Sequence, residues 1–176
     1  MHLPWRAIEV DGHPILTSLT DNEAAKLRSL APGQRILEVG SAYGFSACVM
    51  GLAGPESILA VDPHTWIAGS GGTMAANLDR YGLSEKVEIR SKTFYAVAPA
   101  LVAAKAKFSF IFIDGDHSYS AIHYDATEAL KLIEPGGTIA VHDVEETCCC
   151  PDVKRAVAAT LGDPDEMVDT MAVFSL

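Results

Sequence analysis

The stretch Arg35-Ile36-Leu37-Glu38-Val39-Gly40-Ser41-Ala42-Tyr43-Gly44-Phe45-Ser46 runs from one apolar segment into another through two glycines. Its first half, Arg35 to Gly40, reads as a buried strand, and Phe45 to Ala53 reads as the helix that follows. Glycine tolerates positive φ and lets the backbone pass close to a ligand, although a tight turn that binds nothing needs the same freedom. A dinucleotide fingerprint requires G-x-G-x-x-G, in which the middle glycine admits the pyrophosphate. Here Ala42 holds that position and the spacing is G-x-x-x-G, which favours a ligand without a diphosphate.

The same alternation continues on either side. Upstream, Thr20-Asp21-Asn22-Glu23 has the T-x-x-E form of a capping box, followed by Ala24, Leu27 and Leu30 at helical spacing and a stop at Pro32-Gly33. Downstream, Ser57 to Asp62 reads as a strand. A loop from His64 to Thr73 contains Gly69-Ser70-Gly71-Gly72, and a helix runs from it to Tyr81. Lys86 to Ser91 is a less apolar strand nearer an edge. Phe108 to Asp114 is apolar almost throughout, as a strand covered on both faces should be. Tyr119 to Ile133 predicts a helix with Ile122, Ala126, Ala129, Leu130 and Ile133 on one face, stopped by Glu134-Pro135-Gly136-Gly137. Thr138 to Asp143 is the next strand, Asp152 to Leu161 a helix and Met167 to Leu176 a final strand. This order predicts an α/β, doubly wound, mostly parallel sheet with helices on both faces. One domain spans 1–176: an N-terminal segment and helix (1–34), a core with the motifs (35–143), and a C-terminal helix and strand (144–176).

The 176 residues include 13 basic and 23 acidic side chains, a net charge of −10, with 49% hydrophobic and 20% charged residues. A chain of this size supports one core. Its acidity argues against nucleic acid or anionic lipid as a partner. No apolar run reaches the roughly 18 residues of a membrane span, and the first residues lack the form of a secretory signal, so a cytoplasmic location is expected. Cys48 reads as a core residue, and Cys148-Cys149-Cys150 as reduced thiols in a loop, neither a disulfide framework nor a C-x-x-C site. His2, His13, His64 and His123 read as solvated or structural.

The segment from Glu38 to Ser46 resembles motif I of class I S-adenosylmethionine (SAM)-dependent methyltransferases, an acidic residue followed by x-G-x-x-x-G. The resemblance implies a Rossmann-like fold and puts Glu38, Gly40, Ser41, Tyr43, Gly44 and Ser46 around the methionine part of SAM. It makes Asp62, at the end of the next strand, the acceptor for both ribose hydroxyls, a role suited to the two oxygens of a carboxylate. After the third strand, where many relatives carry an acidic or small pair, this chain has Ser91-Lys92-Thr93. Thr93 is the candidate for the adenine contact, and Lys92 is expected to point away.

Asp114-Gly115-Asp116-His117-Ser118-Tyr119, the later Pro-Gly-Gly and His142-Asp143 are similar to segments of small bacterial O-methyltransferases related to macrocin and catechol O-methyltransferases. That likeness covers most of Arg35 to Val157. It implies that Asp114, besides lying by the cofactor, and Asp143 bind Mg2+ or another divalent ion, and that His117 is the base. Where a further ligand is expected, this chain has His142, whose nitrogen suits Mn2+, Fe2+ or Zn2+ better than Mg2+. The implied activity is methyl transfer to a hydroxyl of a small molecule, with metal assistance. A non-catalytic SAM-binding protein and a metal-dependent hydroxylase-like enzyme remain alternatives. The C-terminal stretch looks too short for the two antiparallel strands usual in the fold. The acceptor pocket is therefore expected to draw on residues 1–20, the loop at 69–72, the cysteine loop or a second subunit in a homo-oligomer.

Overall fold

The computed structural model describes residues 5–145 and 150–176. Five parallel strands form the centre: β3 (Arg35–Val39), β4 (Ser57–Val61), β5 (Val87–Arg90), β6 (Phe108–Ile113) and β7 (Ile133–Val141). They follow an N-terminal pair, β1 (Arg6–Val10) and β2 (His13–Thr17), and precede β8 (Glu166–Val168) and β9 (Met171–Ser175). The main sheet has the order β5-β4-β3-β6-β7-β9-β8, with β9 antiparallel to β7 and β8 antiparallel to β9. From β3 the chain winds outward through β4 to β5, then returns across the sheet to β6 on the other side of β3. That reversal opens a crevice beyond the carboxyl ends of β3 and β6, where doubly wound sheets bind ligands.

Helices α1 (Asp21–Leu30), α2 (Phe45–Leu52) and α3 (Ser70–Arg80) cover one face of the sheet. Their core includes Leu27, Met50, Met74, Phe110 and Phe112, all fully buried. On the other face lie α4 (Phe94–Ala103), α5 (Tyr119–Leu132) and α6 (Pro151–Thr160), packed around Ile111, Ile113, Ala126 and Ala129. The less apolar strand, β5, is at the edge as expected. The capping box forms in full: the Glu23 backbone N–H donates to the Thr20 hydroxyl, and the Thr20 N–H donates to the Glu23 carboxylate.

Five expectations are corrected. The tail supplies both antiparallel strands, because β8 needs only three residues and a tight reversal at Asp169-Thr170 returns the chain to β9. The segment at 69–72 is not a loop: Gly69, at φ +81°, caps α3, which begins at Ser70. Strand β7 starts at Ile133, with an irregular pairing between Phe108/Ile133 and Phe110/Thr138 that accommodates the Pro-Gly-Gly segment. Leu130 is 40% exposed, while Leu132 points into the core. The N-terminal segment also contains a hairpin, joined by Asp11 (φ +45°) and Gly12 (φ +83°). Cys48 is fully buried. Cys148 and Cys149 lie outside the described residues, and Cys150 is at the N-cap of α6.

Candidate active site

The crevice is a cleft of about 920 Å³, near the upper end of the range for small-molecule sites. Its floor is the turn after β3. Gly40 has φ +88°, and a Cβ there would lie 2.1 Å from the Asp114 carbonyl oxygen, so only glycine lets β3 and β6 finish side by side. Gly44 has a different reason. Its φ is +82° and a Cβ would meet Met74 Cγ at 2.6 Å, so it lets the turn pack on α3 and does not itself line the cleft. Ser41, Ala42, Tyr43, Phe45 and Ser46 do line it.

Glu38 is fully buried beneath the turn, and its carboxylate accepts hydrogen bonds from the hydroxyls of Ser41, at 2.7 Å, and Ser46. Burial pushes its pKa up to about 7, against the pull of the two hydroxyls. Glu38 thus braces the turn from behind. Asp62 braces it from the side: its Oδ2 accepts from the backbone N–H groups of Ser41 and Ala42 at 2.8 Å each, and its Oδ1 accepts from His64 N–H at 2.6 Å. Those contacts hold Ala42 at φ +43°, a conformation uncommon for a residue with a Cβ. Asp62 lines the cleft, beside His64, whose side chain is buried with Nδ1 3.0 Å from the Ser70 hydroxyl. Thr93 also lines the cleft, but its hydroxyl accepts from Ala96 N–H as the N-cap of α4; Lys92 is exposed and outside the lining.

At the end nearer β7, the structure brings Asp114, His117, His142 and Asp143 together. His142 Nδ1 lies 3.1 Å from Asp114 Oδ1 and 3.4 Å from Asp143 Oδ2. His117 Nε2 lies 3.3 Å from Asp143 Oδ2 and 3.7 Å from Asp114 Oδ1. One ligand atom each from Asp114, His142 and Asp143 falls within 4.8 Å of the others, and a second such group joins His117, Asp143 and Cys150. Asp143 has φ +59°, an outlier at the centre of the cluster.

Behind the cluster stands a residue that the sequence marked only as a helix cap. Glu23 Oε2 lies 3.2 Å from His142 Nε2, and its Oε1 accepts from the Thr170 N–H and hydroxyl at 2.9 and 2.8 Å. Burial alone would raise the Glu23 pKa, but His142, Thr20 and Thr170 outweigh it and lower it. Burial likewise opposes the charging of His142, yet Asp114, Asp143 and Glu23 raise its pKa well above the usual imidazole value. Asp114 is lowered because the two imidazoles outweigh its burial, and His117 is raised by Asp114 and Asp143 against its burial. A second residue not anticipated from sequence is Asp125 on α5, a lining carboxyl only 7% exposed. The rim carries Trp5, Leu16 and Trp66, with Trp5 set edge-on to Tyr43 at 5.5 Å between centroids.

A family model described as a methyltransferase domain matches residues 37–144. The chain is 33% identical over 124 residues to a catechol O-methyltransferase of Niastella koreensis, which covers 67% of this chain and 52% of that protein. It thus spans about half the length of that curated relative. Among solved structures, the O-methyltransferase of Bacillus cereus in complex with SAH (S-adenosylhomocysteine) superimposes with TM-score 0.72 at 18% identity, over 90% of this chain and 82% of that one. The O-methyltransferase TomG of Streptomyces achromogenes, in complex with SAM, gives 0.70 at 22% identity, over 89% and 81%. At these identities the two structures establish the shared Rossmann-like fold.

Proposed function

Since the chain belongs to the methyltransferase-domain family, we propose that it is a SAM-dependent O-methyltransferase acting on a small hydroxylated acceptor. The observation that carries this reading is the juxtaposition, in one cleft, of a braced glycine turn with Asp114 and His117, whose cluster partners His142 and Asp143 are buried outside the lining. The names of the Niastella, Bacillus and Streptomyces proteins support the oxygen acceptor and the cofactor.

SAM supplies a methyl carbon already attached to a good leaving group, so the chain must align and deprotonate the acceptor. Gly40 to Tyr43 present backbone to the methionine part, and Glu38 and Ser46 hold that backbone in shape. Asp62 retains acceptor capacity for ribose hydroxyls beyond its three backbone bonds. With His117 Nε2 held as N–H against the Asp114 and Asp143 carboxylates, Nδ1 is the ring atom that takes the hydroxyl proton, and those carboxylates stabilise the imidazolium formed.

The donor set fits a divalent cation. Nδ1 of His142 and one oxygen each of Asp114 and Asp143 converge, while Nε2 of His142 is turned to Glu23. Metal-ligating histidines make this type of outer contact to a carboxylate. Asp114, His142 and Asp143 would hold the ion, whose chemistry would be to lower the pKa of a bound hydroxyl. The nitrogen ligand favours Mn2+ or Zn2+ over Mg2+. The aromatic rim of Trp5 and Trp66 suits a planar acceptor such as a catechol.

The test is transfer of labelled methyl from SAM to a panel of small phenols, catechols and hydroxylated sugars, with chelator and with added Mg2+ or Mn2+. Transfer to a hydroxyl that chelator abolishes and Mn2+ restores supports the full reading. Transfer unchanged in excess chelator removes the metal and leaves His117 as the deprotonating group. No transfer despite tight SAM binding would favour a binding protein.

A further inference from the structure

Two sets of donor atoms meet at Asp143, and the function proposed above uses only one of them. The first joins Asp114, His142 and Asp143. The second joins His117, Asp143 and Cys150, with one ligand atom of each within 4.8 Å of the other two. Three separate segments supply that second set: the loop between β6 and α5, the stretch just past β7, and the N-cap of α6.

The geometry suits a tetrahedral ion. Bonds of about 2.0–2.3 Å to nitrogen, oxygen and sulfur put neighbouring ligand atoms about 3.3–3.6 Å apart. His117 Nε2 and Asp143 Oδ2 already stand at 3.3 Å. Cys150 is half-buried at the N-cap of α6, the positive end of the helix dipole, which suits a thiolate ligand. His117 lines the cleft, so an ion has a path in from solvent. What separates the two sets is the sulfur. Mg2+ and Mn2+ prefer oxygen donors, whereas a thiolate beside an imidazole selects Zn2+.

We propose that His117, Asp143 and Cys150 form a zinc site that switches the enzyme off. The site stands on its own donor set; its effect on catalysis rests on the O-methyltransferase reading, in which His117 is the base. A neutral imidazole that binds an ion through Nε2 carries its hydrogen on Nδ1. Nδ1 is then a donor and can no longer take the acceptor's proton. An ion held by Asp114, His142 and Asp143 leaves that imidazole free. One filled set thus permits transfer and the other prevents it.

The test uses the full chain in a phosphine reductant, which keeps the thiol reduced and offers no thiolate of its own. Co2+ serves as a coloured probe, because a bound thiolate gives it a near-ultraviolet charge-transfer band that nitrogen and oxygen ligands do not. The parent should show that band, and added Zn2+ should bleach it. Cys150→Ser should lose the band and bind Zn2+ at least about tenfold more weakly, since losing even an outer contact to a ligand costs that much. Serine is a good N-cap, so α6 keeps its start. His117→Ala should weaken Zn2+ by a similar factor. In methyl-transfer assays with Mn2+ present, Zn2+ should silence the parent, while Cys150→Ser should retain most of its own zinc-free rate. No band in the parent, a band that persists in Cys150→Ser, or unchanged zinc affinity in His117→Ala would overturn the site. Inhibition undiminished in Cys150→Ser would place the zinc on Asp114, His142 and Asp143 and overturn the switch. A parent that shows the band but transfers no methyl would overturn the O-methyltransferase reading, and the switch with it, while leaving the zinc site intact.

Discussion

The imidazole Nε2 of His142, just past the end of β7, lies 3.2 Å from the Glu23 carboxylate on α1, and neither side chain reaches solvent. One carboxylate thereby joins the cap of a helix, the β8–β9 turn through Thr170, and the acid–imidazole cluster. Removing one partner of a buried pair leaves the other uncompensated. Glu23→Ala should therefore destabilise the chain by about 3–5 kcal/mol in denaturant unfolding, with a much smaller loss for Glu23→Gln. A loss under about 1 kcal/mol for the alanine variant would mean that the pair contributes no more than an ordinary cap.

The pH dependence of that pair has a definite sign. The folded-state pKa of Glu23 is lowered, so its contribution is present above about 4.5 and is lost as pH falls through the folded value. That of His142 is raised, so its contribution is complete below about 6.5 and is lost as pH rises through the higher folded value. Glu23→Gln should reduce stability most between those limits and least at the acid extreme. An equal loss at every pH would contradict the electrostatic coupling.

Glu38 has the opposite consequence. Its pKa is raised to about 7, so the folded state disfavours its charge, and stability should decline as pH rises from about 4.5 to 7. Glu38→Gln should flatten that part of the curve in the ligand-free protein, read as thermal midpoint against pH. A slope identical to the parent's would show that the buried carboxyl is not its source.

Much of the cleft was legible in the sequence because strand, turn and helix leave strong local marks. Glycines between apolar runs located β3, its turn and α2, and acidic residues after apolar strands located Asp62 and Asp114. What escaped depended on contacts between distant segments. Glu23 looked like a cap and nothing more, because its second partner, His142, is 119 residues away. Asp125 follows Ile122 by three residues, and it and Glu128 are both acidic residues buried on that helix, so its position alone did not single it out. Asp11-Gly12 between short alternating runs was a hairpin signal of known strength. Helix α4 (Phe94–Ala103) was obscured by Pro99 and by an almost unbroken apolar composition.

Asp62 serves the glycine turn even without ligand, through two 2.8 Å bonds to the backbone of Ser41 and Ala42. Asp62→Ala should weaken SAH binding by at least about tenfold, and should also loosen the turn, seen as faster amide exchange at Ser41 and Ala42. Undiminished affinity would show that the carboxylate neither shapes the turn nor meets the ribose.

His117→Ala should lower the rate of methyl transfer by about 10²–10⁴-fold with little change in SAH affinity. Because the neighbouring carboxylates raise the pKa of this imidazole above 6.5, the parent's rate should climb with pH on the alkaline side of that value. A parallel loss of SAH affinity would make His117 part of the cofactor site instead of the base.

The most direct measurement of the central claim is a calorimetric titration of the purified chain with SAH, with NAD as the control. The account expects SAH to bind at one site in the micromolar range or tighter, and NAD to give no heat, because Ala42 stands where a pyrophosphate would need glycine. Binding of NAD without binding of SAH would contradict it.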